Sequence, residues 1–196
     1  MRRVTFGLLL LLFTAACGST APAVMPPAET VPADSSVVDR SSDLIQPGAV
    51  HLGDAPVTDR TRHLVSIAQN LYTFWDTGER VYLDRAVDDS FVDRTLPTGR
   101  PQGPSGPLVA SAGFRTAIPD LSCELADLYI TGDTFTARLI FRGHFTGAYG
   151  STAGSGQTVE FGAIDIQHMG EERIVEDWHL EDNLTFMQQA GLVGSS

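Results

Sequence analysis

Beyond Thr58-Asp59 the apolar residues Leu64, Ile67, Ala68, Leu71 and Trp75 recur at three- and four-residue spacing. That pattern predicts an amphipathic helix, which Gly78 ends. A shorter helical stretch over 79–86 follows, then Phe91-Val92. The stretch 96–107 carries four prolines and three glycines and reads as a loop. A third helix is predicted over 108–117, closed by Pro119.

After Pro119 the period drops from about 3.6 to about 2. Residues 121–126 alternate, Gly132-Asp133 marks a turn, and the strand over 135–146 puts Phe135, Ala137, Leu139, Phe141 and Phe145 on one face. Arg138, Arg142 and His144 share the other face, which either lines a pocket mouth or is solvated. A small-residue loop over 147–157 leads to two more strands, 159–168 and 173–182, joined by a tight turn. Helices first and antiparallel strands afterwards predict an α+β domain with the helices packed on one sheet face.

The N-terminus has a different character. Met1-Arg2-Arg3, an apolar run of ten residues from Val4 to Phe13 and Thr14-Ala15-Ala16-Cys17 have the layout of a secretory signal. A membrane span needs roughly 20 apolar residues. The last four residues resemble a lipobox, although Thr14 stands where leucine is usual; a plain signal with an incidental cysteine is the alternative. The expectation is an exported protein anchored to the cell membrane by lipid on Cys17 and facing outside the cytoplasm. Residues 18–57, rich in Ala, Pro, Ser and Thr, read as a disordered tether, and 58–194 as one domain of ordinary size.

Removal of residues 1–16 takes Arg2 and Arg3 away and moves the formal charge from −11 to −13. Every basic residue is arginine. So acidic a surface argues against nucleic acid or anionic headgroups as partners. With Cys17 lipidated, Cys123 stands alone and reads as a buried small hydrophobe, so no disulfide framework is implied.

Several separated motifs carry a family resemblance over about 66–192. They are Asn70-Leu71-Tyr72 with Trp75, Pro101-Gln102-Gly103-Pro104-Ser105-Gly106, Phe114-Arg115 with Ile118-Pro119-Asp120-Leu121, and Arg142-Gly143-His144-Phe145-Thr146-Gly147. The last block is Ile174-Val175-Glu176-Asp177-Trp178-His179-Leu180-Glu181-Asp182-Asn183, followed by Gln188-Gln189-Ala190-Gly191. Their order and spacing resemble the SnoaL-like polyketide cyclase and ester cyclase family. The resemblance implies the nuclear-transport-factor-2-like cone, with helices on a curved antiparallel sheet. It also implies a cofactor-free lyase or isomerase, an apolar small-molecule substrate and pairing through the sheet into a homodimer. Two departures stand out: Glu172 occupies the place of a usual turn glycine, with Gly170 earlier, and Asp177 that of a common histidine.

By strict alternation Ile174, Trp178, Leu180 and Asp182 share a face of the last strand. A carboxylate on that apolar face is expected to be desolvated and a better base near neutrality, and the resemblance makes Asp182 the general acid/base. The alternative for Asp182 is a strand-end cap. His168 faces either the same cavity or the solvent rim, and His144 assists only by resemblance. Tyr72, Trp75, Phe114 and Trp178 are core residues, some of which are expected to line a pocket with Arg138 at its mouth. Asp177, His179 and Glu181 alternate on the opposite face and read as solvated. No His-x-His or His-x-x-x-His spacing supports a metal, and neither a Gly-x-Ser-x-Gly element nor a lysine-bearing phosphate loop occurs. Neither metal nor cofactor is expected. Two readings stay open: an acid/base cyclase or isomerase, and a non-catalytic module that binds a small molecule or a protein partner outside the membrane.

Overall fold

The computed structural model describes residues 36–53 and 56–194. The expected signal (1–17), the lipidation site Cys17 and tether residues 18–35 lie outside them. In chain order the elements are β1 (Ala49–His51), α1 (Asp59–Thr77), α2 (Arg80–Ala86), β2 (Val87–Asp93), α3 (Ser105–Ala117), β3 (Ser122–Thr131), β4 (Thr134–Phe145), β5 (Ala148–Tyr149), β6 (Thr152–Ala153), β7 (Gln157–Met169), β8 (Ile174–Glu181) and α4 (Asn183–Gln189). The main sheet runs β1-β3-β4-β7-β8-β2. Its four central strands are antiparallel, while β1 joins β3 and β2 joins β8 in parallel. The α+β architecture is the expected one. Among the described residues no helix is long and apolar enough to cross a membrane.

Thr58 caps α1 through a reciprocal box with Thr61, which satisfies otherwise unpaired N-terminal amides. Gly78 ends the helix at φ 77°, where its amide bonds Phe74 O. One stripe of α1, including Leu64, Ala68, Leu71 and Tyr72, is fully or nearly fully buried. It packs with the inward residues of β3, β4 and β7, among them Leu125, Leu139 and Phe161. The buried head of Arg115 on α3 donates to Trp75 O (2.7 Å) and Leu121 O (3.1 Å), tying the end of α1 to the start of β3. Phe186 of α4 closes one end of this core.

The expected tether boundary at residue 57 is corrected. Val37, Val38 and Val50 join the core, and β1 extends the sheet alongside β3. Gln69 holds this segment to α1: Asp39 N donates to its Oε1 (3.0 Å), and its Nε2 donates to Asp39 O and Ile45 O. Thr73 Oγ1 accepts from Ile45 N at 2.9 Å. These residues have no apolar period of their own. Short pairs such as Val37-Val38 dock on surfaces that later parts of the chain supply, and side chains of α1 satisfy the backbone.

The last hairpin holds the feature that decides the site. Met169 pairs with Ile174 and His168 with Glu176, so Val175 is an extra residue in β8. Such a bulge shifts the alternation by one and turns every later side chain to the other face. From there on Asp177, His179 and Glu181 face the core side, opposite Gln167, Asp165 and Ala163. Trp178 and Leu180 face outward and are exposed.

Candidate active site

A cavity of about 520 Å³ opens between the β8 end of the sheet and the loop after β2. Trp75, Phe114, Tyr149 and Met187 supply apolar walls, and Pro97 and Arg100 come from the loop. Asp177, His179 and Glu181 from β8 also line it. The loop is tied to β8 by Arg94 N on Asp177 O (2.8 Å), by His179 N on Thr95 Oγ1 (2.9 Å) and by the Arg94–Glu176 ion pair.

Four ionisable groups converge on the two paired strands. His179 Nδ1 donates to Asp165 Oδ1, and Asp165 is 1% exposed. His179 Nε2 lies 3.0 Å from Glu181 Oε1 without the alignment of a hydrogen bond, so that N–H lacks a bonded partner. Gln167 Nε2 donates to Asp177 Oδ1 at 2.9 Å. The Tyr72 hydroxyl and Gln167 Oε1 are also buried without hydrogen-bond partners. Three unpaired polar atoms around one cluster call for a water or ligand, because such groups are rarely left unsatisfied.

Burial by itself would lower the pKa of His179, but the Asp165 and Glu181 carboxylates outweigh it and hold the imidazolium well above its ordinary range. The pKa of Asp177 is raised as well, which for a carboxyl favours the neutral form. Burial, then repulsion from Asp165, push it up to about 8, against the pull of His179. At neutral pH the site therefore presents two proton donors, His179 and Asp177, beside the carboxyl of Glu181. Environments that separate neighbouring titrating groups in this way mark acid/base sites. Among the described residues no group of three or more His, Cys, Asp or Glu is arranged to hold a metal.

The sequence profile of SnoaL-like polyketide cyclases matches residues 65–190. The chain belongs to this family. A candidate polyketide cyclase of Bacillus cereus is 39% identical, with 80% of this chain and 99% of that one aligned at a TM-score of 0.70. TsrD of Streptomyces laurentii (22% identity, 70% and 100% coverage, TM-score 0.62) and IdmH of Streptomyces antibioticus, a candidate polyketide cyclase (22%, 68% and 99%, TM-score 0.58), share the fold. No curated protein matches the chain.

Within this family fold, the residues singled out in the sequence divide cleanly. Trp75 and Phe114 line the cavity, Trp75 with its ring parallel to His179 at 6.3 Å. Tyr72 lies behind it, wholly buried, with its pKa raised by burial and by Asp165. The other five are corrected. Asp182 is not desolvated: it is the exposed N-cap of α4 and accepts from Thr185 N and Oγ1, bonds that lower its pKa. Trp178 is on the outer face, and so is Arg138, which pairs with Asp127. His168 meets Thr134 on that same face, and the exposed His144 pairs with Asp120. Arg138 and Asp182 border an open outer hollow with Ile164, Leu180 and Thr185, which holds no buried ionisable cluster.

Sequence reasoning missed Asp165 and misplaced His179. A readable signal existed for the first. Val159, Phe161 and Ala163 set the inward phase of β7, and Asp165 and Gln167 continue it. A carboxyl in phase with buried apolar neighbours needs a partner, and His179 is that partner.

Proposed function

We propose that this domain is a cofactor-free acid/base catalyst that cyclises or isomerises an apolar carbonyl compound bearing an acidic C–H. The observation that carries the reading is the line Asp165–His179–Glu181 beside a cavity with aromatic walls. Glu181 takes the carbon-bound proton while His179 Nε2–H donates to the carbonyl oxygen, where negative charge develops. The enolate carbon then attacks a second carbonyl of the same molecule. His179 protonates the resulting alkoxide, and the proton held by Glu181 restores the imidazolium. No electrons are gained or lost, and the product is an isomer of the substrate. Asp165 fixes the imidazole orientation, and the protonated Asp177 offers a second donor.

The probe is 2-tetralone in D2O, with deuterium uptake at its α-carbon followed by NMR. Uptake above the spontaneous rate should fall by roughly 100-fold or more in His179→Gln and in Glu181→Gln. Uptake that neither substitution changes would overturn the assignment.

We further propose that the domain works outside the cytoplasm, carried there by the signal and held by lipid on Cys17. That location favours a second reading, a tethered carrier of an apolar ligand. Mass spectrometry of the purified protein distinguishes them, since a carrier retains its ligand unchanged and His179→Gln does not alter the bound species.

A further inference from the structure

Eleven arginines fall among the described residues of this acidic chain, and ten of them engage a carboxylate, a carbonyl, a side-chain amide or an aromatic ring. Arg100 is the exception: among the described residues its guanidinium has no hydrogen-bond or ion-pair partner. It is half-buried and lines the catalytic cavity from the loop after β2. In a protein with 24 carboxylates to 13 basic residues, an arginine left unpaired at a pocket wall is conspicuous, because surface acids are abundant enough to engage it. The fork of a guanidinium matches a carboxylate with two parallel N–H···O bonds.

Building on the acid/base reading of the site, we infer that Arg100 selects substrates that carry a carboxylate. The apolar body would lie along Trp75, Phe114 and Met187, the carbonyl would reach His179, and the carboxylate would meet Arg100. Asp93 and Glu181 share the lining, so a phosphate dianion would meet more repulsion than a carboxylate does. The proposal is therefore for a keto acid and not a phosphorylated compound.

Calorimetric binding of 2-naphthoate, its neutral analogue 2-naphthamide and 2-naphthyl phosphate tests this on the full domain. The naphthoate should bind tighter than the amide by roughly tenfold or more. Arg100→Gln should erase that preference while leaving the amide affinity within about twofold, and Arg100→Lys should restore only part of it. His179→Gln should keep the preference. Equal affinities, no measurable binding of the naphthoate, a preference that survives Arg100→Gln or disappears in His179→Gln, or tighter binding of the phosphate would each overturn the proposal. Deuterium uptake in 2-tetralone, which lacks a carboxylate, reads the acid/base chemistry separately, so either idea can fail alone.

Discussion

His179 and Asp165 face each other across the β7–β8 ladder, with Nδ1–H of the imidazole on the carboxylate and Nε2 beside Glu181. The pair combines charge and position: a carboxylate that is almost fully buried is balanced by the ring it orients. Removing either member strands the other. Asp165→Asn should lower the pKa of His179 toward its ordinary range and remove the imidazolium at pH 8. The NMR titration of the ring would show this, and a ring that still titrates above its usual range would refute it.

Stability should fall as pH rises. Asp177 has a folded pKa of about 8 against an ordinary value of 3.8, so between those values the folded protein holds a proton that the unfolded chain releases. His179, raised above 6.5, stabilises fully below that value and loses its contribution as pH passes its folded pKa. Asp177→Asn keeps the shape and an acceptor for Gln167 but cannot ionise. It should raise the melting temperature at pH 8 by about 5 °C and flatten the decline from pH 5 to 8. Thermal melts across that interval check both statements.

Asp182 offers a contrast. Asp182→Ala removes two bonds to Thr185 and should be seen as a small drop in melting temperature. Deuterium uptake should be unchanged. A loss of uptake as large as that of His179→Gln would return the residue to the reaction.

Deleting Val175 should be tolerated. The deletion joins Ile174 to Glu176 and leaves His168 opposite Glu176 and Asp165 opposite His179, so β8 alternates without a bulge and the Asp165–His179–Glu181 line keeps its face. The near-ultraviolet circular dichroism signal and deuterium uptake should both survive the deletion, and loss of either would refute this.

Gln69→Ala removes three hydrogen bonds to residues 39 and 45. The expected cost is about 2 kcal/mol. Limited proteolysis should then cut within 39–48 faster than in the parent, while cleavage elsewhere in the domain changes little.

What the chain announces about itself depends on how local the cause is. The stripe of α1 and the inward set of β4 obey a period over many residues, and both stand where the pattern puts them. The face of β8 did not follow, because one extra residue reverses it. The turn gave a hint: Gly170 N bonds Arg173 O, in a hairpin whose expected glycine position holds Glu172. Docking of Val37 and Val38 is invisible locally, since it depends on α1, which comes later in the chain. Asp165 lacks meaning without its register partner His179, fourteen positions away.

The parallel strands β1 and β2 do more than complete a sheet. Each covers a flank of the antiparallel core, β1 along β3 and β2 along β8. The strands left outermost are three residues long in one case and broken in register between Val87 and Val92 in the other. Short or interrupted borders are poor templates for another chain to zip onto. Trimming residues 36–51 would therefore leave the β3 edge open to pairing with another chain.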